Sequence, residues 1–296
     1  MVDRGGPGLL GAGSMVGAGV IPLLVRDGRH VYAFSRKASG RKTEAGVTWL
    51  QLGGLSPTHA ATSKIEDWLC VAPIWVLPQY FSMLERYGAR RIVALSSTSL
   101  FTKADSSDPT ESATAARLAE GETRLQTWAE SKGVEWVILR PTLIYGRGQD
   151  KNITEIARFV SRFGFFPVLG TAMGLRQPIH AEDVAAACVA ALAAPDASNR
   201  AYNISGGETL PYREMVRRVF VAMQRRPRLV TIPRSVFRIA VAFLRMFPRY
   251  RHWSAAMAER MNRDLLFDHT DATRDLGFSP RPFRLAFEDV TRRGNE

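Results

Sequence analysis

Gly8-Leu-Leu-Gly-Ala-Gly-Ser-Met-Val-Gly-Ala-Gly19 is the stretch from which the rest of the chain is read. A short apolar run (Leu9, Leu10) meets Gly11, Gly13 and Gly17, and a helical pattern follows through Val20, Ile21, Leu23 and Leu24. Strand, glycine turn and helix present helix N-terminal N–H groups to a dinucleotide pyrophosphate. Glycine is required where a Cβ would block the turn or the approach of phosphate. The spacing G-x-G-x-x-x-G is one residue longer than the commonest fingerprint. It makes Gly11, Gly13, Ser14, Met15, Val16 and Gly17 the candidate phosphate-binding residues.

Outward from this loop, His30–Ser35 reads as a second strand, and Arg36, Lys37, Arg41 and Lys42 follow at once. An acidic residue at this point binds the ribose hydroxyls of NAD, whereas arginine accommodates a 2′-phosphate. Ser35, Arg36 and Lys37 therefore argue for NADP, with NAD as the alternative. Val47–Leu52, Arg91–Leu95, Val134–Leu139 and Ala201–Ile204 read as further strands. Helical patterns lie between them at Tyr80–Tyr87 and Ala113–Lys132, and later at Lys151–Phe163 and in the Ala-rich stretch to Ala194. Gly164–Arg176 reads as irregular, Thr209 as the cap of the next helix, and Phe267–Phe283 as a polar, turn-rich tail. Alternating strands and helices predict an α/β fold, a Rossmann-type doubly wound parallel sheet with ligands at the strand C-termini and a smaller C-terminal substrate lobe.

The chain has 296 residues, 46% of them hydrophobic, enough for a large core. Cys70 and Cys188 sit in apolar surroundings and read as buried thiols; no metal site is expected. The start lacks the build of a signal peptide, and no apolar run of spanning length occurs, which predicts a cytoplasmic protein. The net charge is +12, and thirteen arginines fall between Arg213 and Arg263. Such a cluster attracts polyanions, although no nucleic-acid motif accompanies it. The apolar stretch Ser235–Phe247, with Arg234, Arg238 and Arg245, could pack in the small lobe or lie on an anionic membrane surface.

The order of motifs resembles the extended short-chain dehydrogenase/reductases, in particular their NAD-dependent epimerase/dehydratase branch. The resemblance rests on Gly11–Gly17, Ser96–Phe101, Leu139-Arg-Pro-Thr-Leu-Ile-Tyr-Gly146, Arg176–Val184, Tyr202–Gly207 and Leu276–Arg281. It implies a nicotinamide dinucleotide cofactor and a nucleotide-sugar or similar phosphorylated substrate. It further implies that Ser96 and Pro141 line the cofactor pocket, that Thr98 hydrogen-bonds the reacting oxygen, and that Arg176 grips the substrate diphosphate. Tyr145, beyond the fifth strand, is the candidate acid, although in the family this tyrosine is usually structural. Residues 1–147 would form the dinucleotide domain, with about 177–205 returning to it, and 148–296 mainly the substrate lobe. A homodimer is compatible with this reading.

Three departures stand against the family pattern. The helix that should carry Tyr-x-x-x-Lys has Thr114 and Leu118 near those positions, with Arg117 beside them; Ser14 replaces the middle glycine; and Gln51-Leu-Gly-Gly54 lacks the expected acid. A threonine hydroxyl cannot replace an activated phenolate. The alternative reading is therefore a non-catalytic NADP(H)-binding sensor or scaffold. His180 and Asp183 read as packing and capping residues, and no G-x-S-x-G elbow supports a hydrolase.

Overall fold

The computed structural model describes residues 6–36, 45–52, 64–233 and 259–291. Lys37, Arg41, Lys42 and the apolar stretch Ser235–Phe247 lie outside the described residues. Seven parallel strands form the central sheet. They are β1 (Gly8–Leu10), β2 (Val31–Ser35), β3 (Val47–Gln51), β4 (Asp67–Cys70), β5 (Arg91–Leu95), β6 (Glu135–Pro141) and, later in the chain, β11 (Arg200–Ile204). Their order is β11-β6-β5-β4-β1-β2-β3, so the chain reverses direction across the sheet between β1 and β4. A reversal of this kind opens a crevice at the strand C-termini, where dinucleotides bind.

Side-chain alternation explains why both sheet faces are covered. Leu9, Leu69, Val93, Val137 and Leu139 point to one face and pack with α1 (Gly17–Arg26) and, later in the chain, α6 (Ala181–Ala193). Leu10, Trp68, Cys70, Ile92, Ala94 and Ile138 point to the other. There they meet α2 (Phe81–Tyr87) and α4 (Pro109–Lys132). Between β5 and α4 lies the short α3 (Ser99–Thr102). Burial on both faces is why these strands read as near-continuous apolar runs. It also pushes the Cys70 thiol up to about 12, so this cysteine is an inert core thiol.

The start and stop of α4 are written locally. Asp108 accepts from the Thr110 N–H at 2.9 Å, Pro109 occupies the first turn, and Gly133 closes the helix in a left-handed conformation. Ala115, Leu118, Glu122, Leu125 and Ala129 follow at three- and four-residue spacing and form its buried face.

A second apolar core gathers residues from Tyr145 onward. After β7 (Ile144–Tyr145), helix α5 (Ile153–Phe163) leads into β8 (Phe166–Leu169). Short strands β9 (Leu175–Arg176) and β10 (Ile179–His180) precede α6. Beyond β11 come β12 (Leu210–Pro211), α7 (Tyr212–Ala222) and β13 (Leu229–Ile232), which pairs in parallel with β8. Ile156, Val160, Phe166, Met215, Val219, Phe220 and Phe283 are all buried there.

Three local expectations are corrected. Gly164–Arg176 contains β8, whose hydrogen bonds come from the distant β13. Thr209 does not cap α7, because Leu210–Pro211 pairs with β9 and holds the chain extended until Tyr212. The polar tail Phe267–Phe283 contains α8 (Thr270–Leu276), and α9 (Phe287–Val290) follows it. In addition, the apolar run Ile65–Pro78, interrupted by Pro73 and Pro78, supplies the central strand β4.

Candidate active site

The glycine loop sits where the topology places a crevice, between the ends of β1 and β4. Gly11 has φ +85°, and a Cβ there would lie 2.6 Å from the Ala72 backbone nitrogen just beyond β4. A Cβ on Gly17 would lie 2.5 Å from the Gly11 carbonyl oxygen. Both glycines thus serve the close packing of the turn. Ser14, the departure from the family loop, has a local role: its hydroxyl accepts from the Gly17 N–H at 3.0 Å. The N–H groups of Gly13, Met15 and Val16 make no hydrogen bond among the described residues. They are the donors that a helix N-terminus offers to an anion. Ser35 ends β2, half-buried, with its carbonyl accepting from the Leu52 N–H at 2.9 Å; Arg36 follows, exposed.

Two strands away, the ends of β5 and β6 bring Ser96, Thr98 and Pro141 together. The Ser96 N–H donates to the Leu139 carbonyl at 2.8 Å. The Thr98 N–H and hydroxyl both donate to the Pro141 carbonyl, at 3.0 and 3.2 Å. Ser96 is buried, and its hydroxyl finds no hydrogen-bond partner among the described residues. A buried, unpaired hydroxyl costs free energy unless something outside the chain completes it. With the open N–H groups of the loop, it fits a bound dinucleotide on this edge. Ser96→Ala is therefore expected to leave unfolding stability within about 0.5 kcal/mol of wild type, because no protein hydrogen bond is lost. The same change should weaken dinucleotide binding about fivefold; thermal melts with and without NADPH read both effects.

The NAD dependent epimerase/dehydratase family profile matches residues 79–205. Over that segment the chain is similar to the NAD-dependent epimerase/dehydratase family. It is 24% identical over 162 residues to a UDP-glucose 4-epimerase of Vibrio cholerae, an alignment covering 55% of this chain and 47% of that protein. The chain spans about half the length of the curated relatives first matched. Among solved structures, the Thermotoga maritima UDP-glucose 4-epimerase with UDP-glucose superposes with a TM-score of 0.64 at 15% identity, covering 96% of each chain. MoeE5 in complex with UDP-glucose and NAD superposes with a TM-score of 0.67 at 19% identity, over 97% of this chain and 96% of that one. At such identities the superpositions show the shared fold.

Against the family pattern, the helix face that should carry tyrosine and lysine is built differently. Leu118 is a core residue, and the Thr114 hydroxyl donates to the Thr110 carbonyl at 2.8 Å. One turn earlier, Glu111 forms an ion pair with Arg260 and accepts from the Ser106 hydroxyl at 2.7 Å. Burial works against the Glu111 charge, but the hydrogen bonds from Arg260 and Ser106 hold its carboxyl below the usual range. Burial lowers the neighbouring Lys103 ammonium, and the Glu111 charge opposes that shift. This cluster joins α4 to the second core. Its one sequence signal is the i, i+3, i+7 spacing of Glu111, Thr114 and Leu118.

Tyr145 and Arg176 occupy positions other than those a ligand-facing role suggests. Tyr145 has no exposed surface; its ring packs edge-on against His180 and Phe283, and its hydroxyl donates to the Arg284 carbonyl at 3.3 Å. Burial, with the charges of Asp289 and Asp183 nearby, raises its pKa above the ordinary phenol range, so it holds its proton at neutral pH. Arg176 is 6% exposed, and its guanidinium donates to the carbonyls of Leu175 and Arg263 at 2.7 and 2.8 Å and to that of Arg260. Burial pushes its pKa down to about 10, which leaves it charged at neutral pH. The fork therefore organises the 260–263 turn.

That turn forms one wall of a cavity of about 370 Å³ lined by Leu169, Gly170, Thr231, Ile232, Pro233, Glu259 and Asn262. Asn262 fixes the turn to the cavity floor, donating to the Leu169 carbonyl at 2.7 Å and accepting from the Ala172 N–H at 2.9 Å. The cavity was not legible in the sequence, because its walls come from three separate stretches.

Proposed function

We propose that the protein is an NAD(P)-dependent, epimerase-like oxidoreductase of the atypical extended short-chain type, acting on a nucleotide sugar or a similar phosphorylated substrate in the cytoplasm. The observation that carries this reading is the unpartnered, buried Ser96 hydroxyl beside Thr98 and Pro141, on the same sheet edge as the open N–H groups of Gly13, Met15 and Val16. The loop would hold the pyrophosphate, Arg36 and its neighbours the 2′-phosphate of NADP, and Ser96 and Pro141 the nicotinamide end. A bound nicotinamide dinucleotide would supply hydride transfer. Thr98 has free oxygen lone pairs and, by releasing the Pro141 carbonyl, can donate to a substrate oxygen. Residues from about 148 onward would form the substrate lobe. Its apolar cavity would take the base of a nucleotide substrate, with Arg176 holding the wall in place.

Thr114 and Leu118 favour a second reading, a non-catalytic NADP(H) sensor, because neither can exchange a proton as an activated phenol does. Two experiments separate the readings. NADPH is expected to bind about tenfold more tightly than NADH, the worth of one charge-assisted contact to the 2′-phosphate, and Arg36→Ala should erase the difference. A panel of UDP-sugars followed by NMR should then show slow interconversion for an enzyme. Retained NADPH binding without turnover of any sugar would select the sensor.

A further inference from the structure

At one end of the second core two chain reversals lie side by side. Helix α5 turns at Gly164 into β8, and α7 turns through Gln224 into β13. The Phe166 N–H donates to the Arg228 carbonyl at 2.9 Å, and the Arg225 guanidinium donates to the carbonyls of Val160 and Ser161 at 3.0 and 3.3 Å. These bonds fix the two reversals as one surface. It exposes Arg162, Arg225, Arg226 and Arg228. Neither 161–166 nor 221–233 contains an aspartate or glutamate. Arg226 and Arg228 have no ion-pair partner among the described residues. Arg217 and Arg218, by contrast, pair with Glu214, and Arg218 also with Glu208. The same end exposes Phe163 at 41%, Val221 at 57% and Val230 at 46%.

We propose that this end of the molecule docks on an anionic lipid bilayer, the arginines meeting headgroup phosphates while Phe163, Val221 and Val230 enter the acyl boundary. Basic side chains interleaved with protruding apolar ones are what an anionic interface rewards. Valines offer nucleic-acid bases no face to stack on, which disfavours a polynucleotide as the occupant. The docking end is the start of the β8–β13 ladder, and the cavity lies at its far end.

The test is co-sedimentation of the full chain with vesicles of phosphatidylcholine alone and of phosphatidylcholine with phosphatidylglycerol. Binding is expected only to the anionic vesicles, with release at high salt. The double variant Arg226→Glu/Arg228→Glu should bind at least about tenfold less, since each basic residue near such a surface contributes about fivefold and two are lost. Phe163→Ser/Val230→Ser should bind less at every salt concentration. Thermal melts check that both variants are folded, and NADPH titration checks the dinucleotide site separately. Undiminished sedimentation of either folded variant overturns the proposal, as does retention of duplex DNA with no vesicle binding.

Discussion

Replacing Gly11 by alanine is expected to abolish dinucleotide binding and to lower stability by about 2–4 kcal/mol. Two separate costs add. The residue has φ +85°, a region that charges an L-residue roughly 1–2 kcal/mol. The new Cβ would also lie 2.6 Å from the Ala72 nitrogen, which is backbone and cannot rotate away. The end of β4 would have to move, and the open N–H groups of the loop with it. Gly28→Ala is the control, since Gly28 has φ +74° with nothing within 4 Å of its Cβ position. It should cost only about 1 kcal/mol and leave NADPH binding intact. Urea unfolding of both variants, with NADPH titration, checks the pair. Equal stability losses would show that the contact with Ala72 is not what Gly11 is there to permit.

Arg176→Ala is the second large effect, with an expected loss of about 3–5 kcal/mol. The guanidinium serves three carbonyls, two of them in the 260–263 turn, and lies over the Tyr212 ring at 5.5 Å. Truncation leaves those buried acceptors without donors, each at about 1–3 kcal/mol before water enters. Arg176→Lys should recover less than half, because one ammonium cannot reproduce the planar fork. Urea unfolding gives the energy, and limited proteolysis should show new cleavage near 260–263. A variant as stable as wild type, with weakened binding of a UDP-sugar alone, would instead mean that Arg176 serves the ligand directly.

The sheet was legible because its evidence is local. Leu9 and Leu10 before Gly11, the β-branched run of β5 and the turn residues after β6 each carry their own period and punctuation. The helix α4 was read over Ala113–Lys132; its end matches, while its start lies earlier, at the Asp108-Pro109 cap that the reading missed. Where sequence reading stopped, the deciding partner was remote. Strand β8 exists because β13 lies beside it, and Pro167 within it disguises the pattern. Thr209 carries a capping side chain, yet the pairing of Leu210–Pro211 delays the helix. The nature of Arg176 as an anion-binding side chain was plain; that backbone carbonyls 84 and 87 residues away occupy it was not. For Tyr145 the resemblance already offered a structural role beside the catalytic one, and the Arg284 carbonyl and the rings of His180 and Phe283 show how it is held. The absence of the tyrosine–lysine pair, by contrast, was readable directly, since Leu118 and Thr114 stand at those positions.

The central claim is that the edge carrying Gly11, Ser96 and Pro141 holds a nicotinamide dinucleotide. Calorimetric titration of the wild-type chain with NADPH tests it most directly. The account predicts saturable one-to-one binding with a micromolar Kd, weakened in Ser96→Ala and absent in Gly11→Ala. No binding of NADPH or NADH at millimolar concentration by the folded wild-type protein would contradict it.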